Sequence, residues 1–110
     1  MNTELNFDGV TSVNWNNLQG KEVARGIFEH RIWEGEKGKR AIILKFEANS
    51  KYPGVDVHQP GPEQIYVISG VFNDGKEDHS EGSFINHPIG TAHIPQSKTG
   101  CIVLVLFPEG

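Results

Sequence analysis

Histidine and carboxylate side chains come together at two places in this sequence of 110 residues. One segment carries Asp56, His58 and Glu63 around the turn residues Pro60-Gly61, and a later segment ends in His93. Alternate side chains of a strand face the same side, so Asp56 and His58 point one way, and the turn brings Glu63 back toward the same point. Burying such groups without partners is costly, and a divalent cation would satisfy them together. The spacing therefore predicts a metal site.

The elements that must position these side chains are short strands. Thirteen glycines and six prolines interrupt short runs rich in Val, Ile, Phe and Thr, a pattern typical of an all-β barrel or sandwich. We expect an N-terminal arm over residues 1–20, anchored by Trp15, and one barrel domain over residues 21–110. The predicted strands span residues 22–33, 39–48, 54–59, 64–73, 82–86, 92–96 and 101–107.

The two segments resemble the sequence motifs of the cupin superfamily, H-x-H-x(3,4)-E-x(6)-G and G-x(5)-P-x-G-x(2)-H. The second motif is matched at every fixed position, at Gly82, Pro88, Gly90 and His93. The first motif is matched at His58, Glu63 and Gly70. It departs at its first histidine, where this sequence has Asp56, and Ser50 and Ser97 replace a leading glycine and a trailing asparagine. Two interlocking motifs at fixed spacing are a more specific signal than either alone.

Within that superfamily of RmlC-like proteins, residues 52–107 are most similar to the cupin domain of ChrR-type zinc-dependent anti-sigma factors. The similarity is carried by the run Gly61-Pro-Glu-Gln-Ile-Tyr-Val-Ile-Ser-Gly70, the pair His87-Pro88, the run Gly90-Thr-Ala-His93 and the pair Gly100-Cys101. The resemblance implies an all-β fold with a single cupin barrel, also called a double-stranded β-helix or jelly roll.

The resemblance further implies that His58, Glu63 and His93 bind one divalent metal ion. Asp56 could supply the fourth ligand through a carboxylate oxygen, or its short side chain could hold a metal-bound water. Two imidazoles with one or two carboxylates suit Fe(II), Mn(II), Ni(II) or Zn(II). Cupin barrels often pair through exposed strands, so we also expect a homodimer.

The other histidines and the single cysteine are interpreted mainly as structural residues outside the metal site. His87 precedes Pro88 and could orient a ligand or a substrate, although a partly exposed turn residue is the favoured interpretation. We expect His30 to be a satisfied core or surface residue and His79 to lie in a solvated loop. Cys101 begins the last apolar run and is interpreted as a small core residue, because no basic neighbour is evident to activate its thiol.

Composition narrows the possible partners. The formal net charge is −4, and the basic residues are scattered, which argues against nucleic acid as a partner. The first ten residues lack a secretory signal, and the longest apolar run, residues 102–107, falls well short of the about 20 residues that span a membrane. We therefore expect a cytoplasmic protein with no membrane association.

Three functions agree with these observations. The first is a metal-dependent enzyme acting on a small molecule, and the resemblance implies a dioxygenase-like oxidoreductase. The alternative is a metal-dependent sensor or ligand-binding module of the ChrR cupin type without catalysis. The short arm predicts that the separate sigma-binding domain of those proteins is lacking. A barrel without metal, serving only as an interaction module, would leave the inward polar groups unexplained.

Overall fold

The protein is built almost entirely from short β-strands, as the frequent glycines and prolines predict. The computed structural model describes residues 3–110, so residues 1 and 2 of the predicted arm lie outside the described residues. The strands are β1 (Lys21–Ala24), β2 (Ile27–Glu34), β3 (Arg40–Phe46), β4 (Ser50–Lys51), β5 (Asp56–Val57), β6 (Glu63–Gly70), β7 (Phe72–Asn73), β8 (Asp78–His79), β9 (Phe84–His87), β10 (Ala92–His93), β11 (Gln96–Ser97) and β12 (Cys101–Phe107).

The strands assemble into antiparallel sheets. The six-stranded sheet has the order β1-β2-β3-β12-β6-β9, the four-stranded sheet has the order β4-β11-β7-β8, and β10 pairs with β5 in a separate two-stranded ladder. The non-consecutive neighbours β3, β12 and β6 show that the chain crosses between sheets, as in a jelly roll. The predicted all-β architecture is confirmed.

The core lies between the six-stranded and four-stranded sheets. Phe72 of the four-stranded sheet packs edge-on against Phe46 of the six-stranded sheet, with ring centroids 5.7 Å apart. Alternate residues of the long strands complete the core, since one face of each strand is buried. Its other members are Ile27, Ile42, Ile65, Val67, Cys101, Val103 and Val105. Cys101 is thus a buried core residue, as predicted.

Glycines divide two predicted strands. The predicted strand over residues 22–33 is two strands, β1 and β2, separated by a turn at Gly26, where φ is 78°. The predicted strand over residues 64–73 ends at Gly70, also at φ 78°, and β7 follows. A Cβ at Gly70 would collide with the backbone oxygen of Gly100. A left-handed backbone and close approach together require glycine here.

The N-terminal segment contacts the outer face of the six-stranded sheet at Trp15. Trp15 lies in a short 3₁₀ helix, Trp15–Asn17, whose first turn is capped by the side chain of Asn14. Its ring packs edge-on against His30, with centroids 5.1 Å apart. Trp15 therefore anchors this segment as predicted, and it explains why His30 is buried. Within residues 3–110, no helix has the length and apolar character needed to cross a membrane.

Candidate metal centre

Four buried donor residues converge at one end of the molecule. His58 follows β5, Glu63 begins β6, His87 ends β9 and His93 lies in β10. The strand registers bring them together, because Glu63 pairs directly with His87, and His93 pairs with Asp56. Three of these four donors, His58, Glu63 and His93, are the ligands that the sequence predicts.

The donor atoms lie at distances typical of groups around a common centre. Nε2 of His58 and Nε2 of His93 are 3.0 Å apart. Oε1 of Glu63 is 3.4 Å from Nε2 of His58 and 3.6 Å from Nε2 of His93. With a ring nitrogen of His87 included, the four donor atoms all lie within 4.8 Å of one another. Such a group could hold a metal ion.

Hydrogen bonds on the far side of two imidazoles fix their tautomers. The hydroxyl of Thr91 donates to the carbonyl oxygen of Pro88 at 2.6 Å, so its oxygen accepts from Nδ1 of His58 at 2.9 Å. Nδ1 of His87 donates to the carbonyl oxygen of Glu63 at 3.2 Å. Both rings therefore carry their proton on Nδ1 and present the lone pair of Nε2, which is the form that binds a metal.

Asp56 lies beside this group and nearer to solvent. Its Oδ2 is 3.2 Å from Nε2 of His93 and 3.8 Å from Nε2 of His58. The Asp56 side chain is 35% exposed, whereas those of His58 and His93 are almost fully buried. The structure thus brings all four predicted residues together, with Asp56 at the more exposed side.

Burial determines most of the charge states. It raises the pKa of Glu63 to about 7, against the opposing attraction of His93. It lowers the pKa of His87 to about 4, and repulsion from His93 and His58 adds to this effect. Burial likewise lowers the pKa of His58. The hydrogen bond from His93 lowers the pKa of Asp56. Near neutral pH the imidazoles of His58 and His87 are therefore neutral and Asp56 is ionised.

The interpretation of His87 as a partly exposed turn residue is wrong. Its side chain is buried, and its ring lies 4.6 Å from that of His58 and 4.5 Å from that of His93, between centroids. The motif spacing gives no signal for this position, because the residue before Pro88 is variable in the motif. The register of β9 on β6 would have revealed it, since that register sets His87 opposite Glu63.

His79 also differs from its prediction as a solvated loop residue. It lies in β8 and is partly buried, with Nε2 2.8 Å from Oδ2 of Asp74. Asp74 accepts backbone N–H groups from Lys76 and Glu77 as well. Burial raises the pKa of Asp74, but these hydrogen bonds outweigh it and lower the pKa to about 2. The pair therefore closes a turn.

The remaining histidine, His30, is buried on the opposite face of the sheet, under Trp15. Its Nδ1 forms no hydrogen bond within residues 3–110. His30 is therefore buried, as expected for a core histidine, but among the described residues its Nδ1 lacks the hydrogen-bond partner that was also expected.

The donor set fits a divalent transition metal. Three imidazoles and one or two carboxylates combine nitrogen and hard oxygen donors, which suits Fe(II), Mn(II), Ni(II) and Zn(II). Two rings are already in the tautomer that such an ion requires. Nε2 of His93 instead donates to Asp56, so metal binding would require this ring to give up that proton or to move it to Nδ1, which forms no hydrogen bond among the described residues.

A cavity of about 360 Å³ leads to these donors. Its wall is formed by the inner face of the six-stranded sheet, and it reaches the side chains of Asp56, His58 and Glu63. This volume lies in the range that holds small molecules. The apolar part of the wall is made by residues of β2, β3 and β12, among them Ile42, Leu44, Val105 and Phe107.

Comparison with known families identifies one relationship over nearly the whole sequence. The model of the ChrR cupin-like domain family matches residues 9–108. Comparison with curated protein sequences gives no match.

Solved structures share the fold at low sequence identity. The polyketide cyclase RemF from Streptomyces resistomycificus has a TM-score of 0.80 at 19% identity, over 92% of this chain and 80% of that chain. An acetylacetone dioxygenase from Acinetobacter johnsonii has a TM-score of 0.76 at 14% identity, over 98% of this chain and 78% of that chain.

The Rhodobacter sphaeroides complex of SigE with the anti-sigma ChrR also contains a similar chain. Its TM-score is 0.73 at 19% identity, over 86% of this chain and 50% of that one, so the present chain spans half the length of its relative. Identities this low establish the fold alone. The cupin fold predicted from the two motifs is thereby confirmed.

Proposed function

The chain belongs to the ChrR cupin-like domain family, and from this premise we propose that it binds one divalent metal ion and is an enzyme acting on a small molecule. The observation that carries the proposal is the convergence of four buried donors within 4.8 Å. Buried polar groups in such number are costly unless they are paired or bind a metal.

Three of the proposed ligands are His58, Glu63 and His93, and the fourth is His87. The motif position of the missing first histidine is occupied by Asp56, whose side chain is more exposed than the four donors. His87 supplies an imidazole from a different strand, with its Nε2 lone pair free because Nδ1 donates to the carbonyl oxygen of Glu63. This assignment keeps three histidines and one carboxylate around the ion.

Asp56 is then available for proton transfer. It lines the cavity, and its pKa is lowered by the hydrogen bond from His93, so it is ionised near neutral pH. A carboxylate in this position can accept a proton from a molecule that enters through the cavity. We propose this role for Asp56, while direct ligation remains the competing role that the experiment below tests.

The cavity supports an enzymatic function. It is large enough for a small molecule, and its wall combines apolar side chains with charged ones, among them Arg31 and Arg40. A divalent ion would supply Lewis-acid chemistry at substrate oxygen atoms and, if redox-active, a site for O₂. The structural neighbours include a polyketide cyclase and an acetylacetone dioxygenase, which supports a dioxygenase-like oxidoreductase as the first activity to test.

A metal-dependent sensor or ligand-binding module without catalysis is the second candidate. The family match and the likeness to a chain of the SigE–ChrR complex favour it. Such a module would bind metal and ligand through the same residues. The two candidates differ only in whether the bound molecule is converted.

Elemental analysis of untagged protein tests the metal centre. We expect about one transition-metal ion per chain, lost in His58→Ala and His93→Ala. His87→Ala should reduce metal content and Asp56→Asn should retain it; the reverse pattern would assign the fourth ligand to Asp56. The proposal would be refuted if the purified protein contained no metal and bound none after incubation with Fe, Mn, Ni or Zn. Oxygen consumption with diketones, catechols and thiols then separates enzyme from sensor.

We also propose that the protein is a homodimer. Tyr66 and Phe84 are paired across β6 and β9, and with Ile68 they form an exposed apolar patch. The patch lies at the edge of the six-stranded sheet, where β9 is the last strand. Pairing of two copies along this edge would cover both the apolar side chains and the free strand edge.

A further inference from the structure

A charged side chain, Arg40, lies on the inner face of the six-stranded sheet. In β3 the residues Arg40, Ile42 and Leu44 alternate along the strand and all line the cavity that leads to the metal centre. The inner face of a sheet is ordinarily apolar, because a buried charge is costly without a partner. The placement of Arg40 therefore requires an explanation.

The guanidinium group of Arg40 is held in a fixed orientation. Arg40 pairs with Phe107 across β3 and β12, and its guanidinium carbon lies 3.7 Å from the centroid of that ring. Its Nη1 donates to the carbonyl oxygen of Gly38 at 2.8 Å. Within residues 3–110, Nε and Nη2 form no hydrogen bond and Arg40 forms no salt bridge. One edge of the planar group is thus free and preorganised.

A second arginine at the cavity provides a contrast. Arg31 lines the same cavity, but its Nη2 and Nε both donate to Oε1 of Glu29, at 2.9 and 3.3 Å. Its Nη1 donates to Glu34 at 3.3 Å. The charge of Arg31 is therefore neutralised by the protein. Among the described residues, Arg40 forms no salt bridge, and its charge reaches the cavity-lining Glu63 only as a longer-range attraction that lowers the pKa of that carboxyl.

We infer that the cavity binds a small organic carboxylate, with the carboxylate on the free Nε–Nη2 edge of Arg40. A planar carboxylate accepts two parallel hydrogen bonds from such an edge. The apolar part of the molecule would lie against Ile42, Leu44 and Val105, which form the wall beyond the arginine. The inference deepens the proposed function, because the end remote from Arg40 would face the donor residues.

Matched pairs of ligands test the inference. Benzoate and butyrate, each with its uncharged amide, would be titrated into metal-free and metal-loaded protein by NMR. The wild-type protein should bind each carboxylate more tightly than its amide, and Arg40→Gln should weaken carboxylate binding about tenfold or more. Amide binding should be unchanged in this variant, which shows that the cavity is intact. Arg31→Gln is the matched control and should keep the preference.

Two results would overturn the inference: a wild-type protein that prefers neither carboxylate, or an Arg40→Gln variant that keeps the preference. The metal-free titration separates this outcome from failure of the metal centre. If the chain binds no metal but the Arg40-dependent preference persists, only the proposed function fails. If metal binds and the preference is missing, only the carboxylate site fails.

Discussion

The hydroxyl of Thr91 provides a sharp test of the metal centre, because it acts through His58 without approaching the ion. It accepts the Nδ1 proton of His58 while donating its own proton to the carbonyl oxygen of Pro88. Thr91→Val retains the shape of the side chain and removes the acceptor. In metal-free protein His58 can move its proton to Nε2, but the metal-bound ring must keep it on Nδ1. The free-energy cost of leaving the Nδ1–H group of His58 without an acceptor therefore applies only to the metal-bound protein.

The size of the effect follows from the cost of a buried donor without a partner. That cost is about 1–3 kcal/mol, and each 1.4 kcal/mol is about a tenfold change in an equilibrium constant. We expect Thr91→Val to weaken metal binding roughly 5- to 140-fold, which overlaps the effect of other residues that orient metal-binding histidines. Thr91→Ser keeps the hydroxyl and should bind metal nearly as the wild type does.

Competition of the protein with a chromophoric chelator for Zn(II) at constant pH measures this difference. Thermal unfolding of both metal-free variants verifies that Thr91→Val is folded. If Thr91→Val binds Zn(II) within about twofold of Thr91→Ser, then Nε2 of His58 is not a metal ligand, or its tautomer is not set by Thr91.

Two further predictions concern protonation and assembly. Burial raises the pKa of Glu63 to about 7, and the ion requires the carboxylate. Metal affinity should therefore begin to fall near pH 7 and should fall about tenfold per pH unit below about pH 6, before His87, with its pKa of about 4, takes up a proton. Calorimetric titrations at several pH values measure this slope, and constant affinity between about pH 5 and 7 would exclude Glu63 as a ligand. Replacement of the exposed Phe84 by Lys should convert the proposed dimer to a monomer in sedimentation experiments, with metal content unchanged; a wild-type protein that is already monomeric at high concentration would disprove the dimer.

The sequence predicted the parts of the centre that depend on local spacing. His58 and Glu63 flank one turn, and His93 stands at a fixed distance from Pro88, so their types and intervals indicated a common site. The all-β architecture followed from the glycines and prolines between short apolar runs. The buried position of Cys101 followed in the same way, from the apolar strand that it begins.

The sequence could not predict features that depend on pairing between distant strands. His87 enters the centre because β9 pairs with β6 in a register that places it opposite Glu63. His79 is partly buried because β8 folds back on β7 and brings it to Asp74. The free edge of Arg40 likewise depends on which carboxylates lie within reach of it. Such contacts are fixed by tertiary structure, which local patterns do not encode.

The ladder of β5 and β10 is only two strands wide, and it carries His58 at its end and His93 within it. Glu63 and His87 belong instead to the six-stranded sheet. A narrow ladder is marginally stable by itself, so it opens locally more readily than the wide sheet does. An ion bound by all four donors would connect the β5–β10 ladder to the six-stranded sheet. Part of the free energy of metal binding would then stabilise the closed position of the β5–β10 ladder. The metal-loaded protein would therefore open locally at this ladder far less often than the metal-free protein.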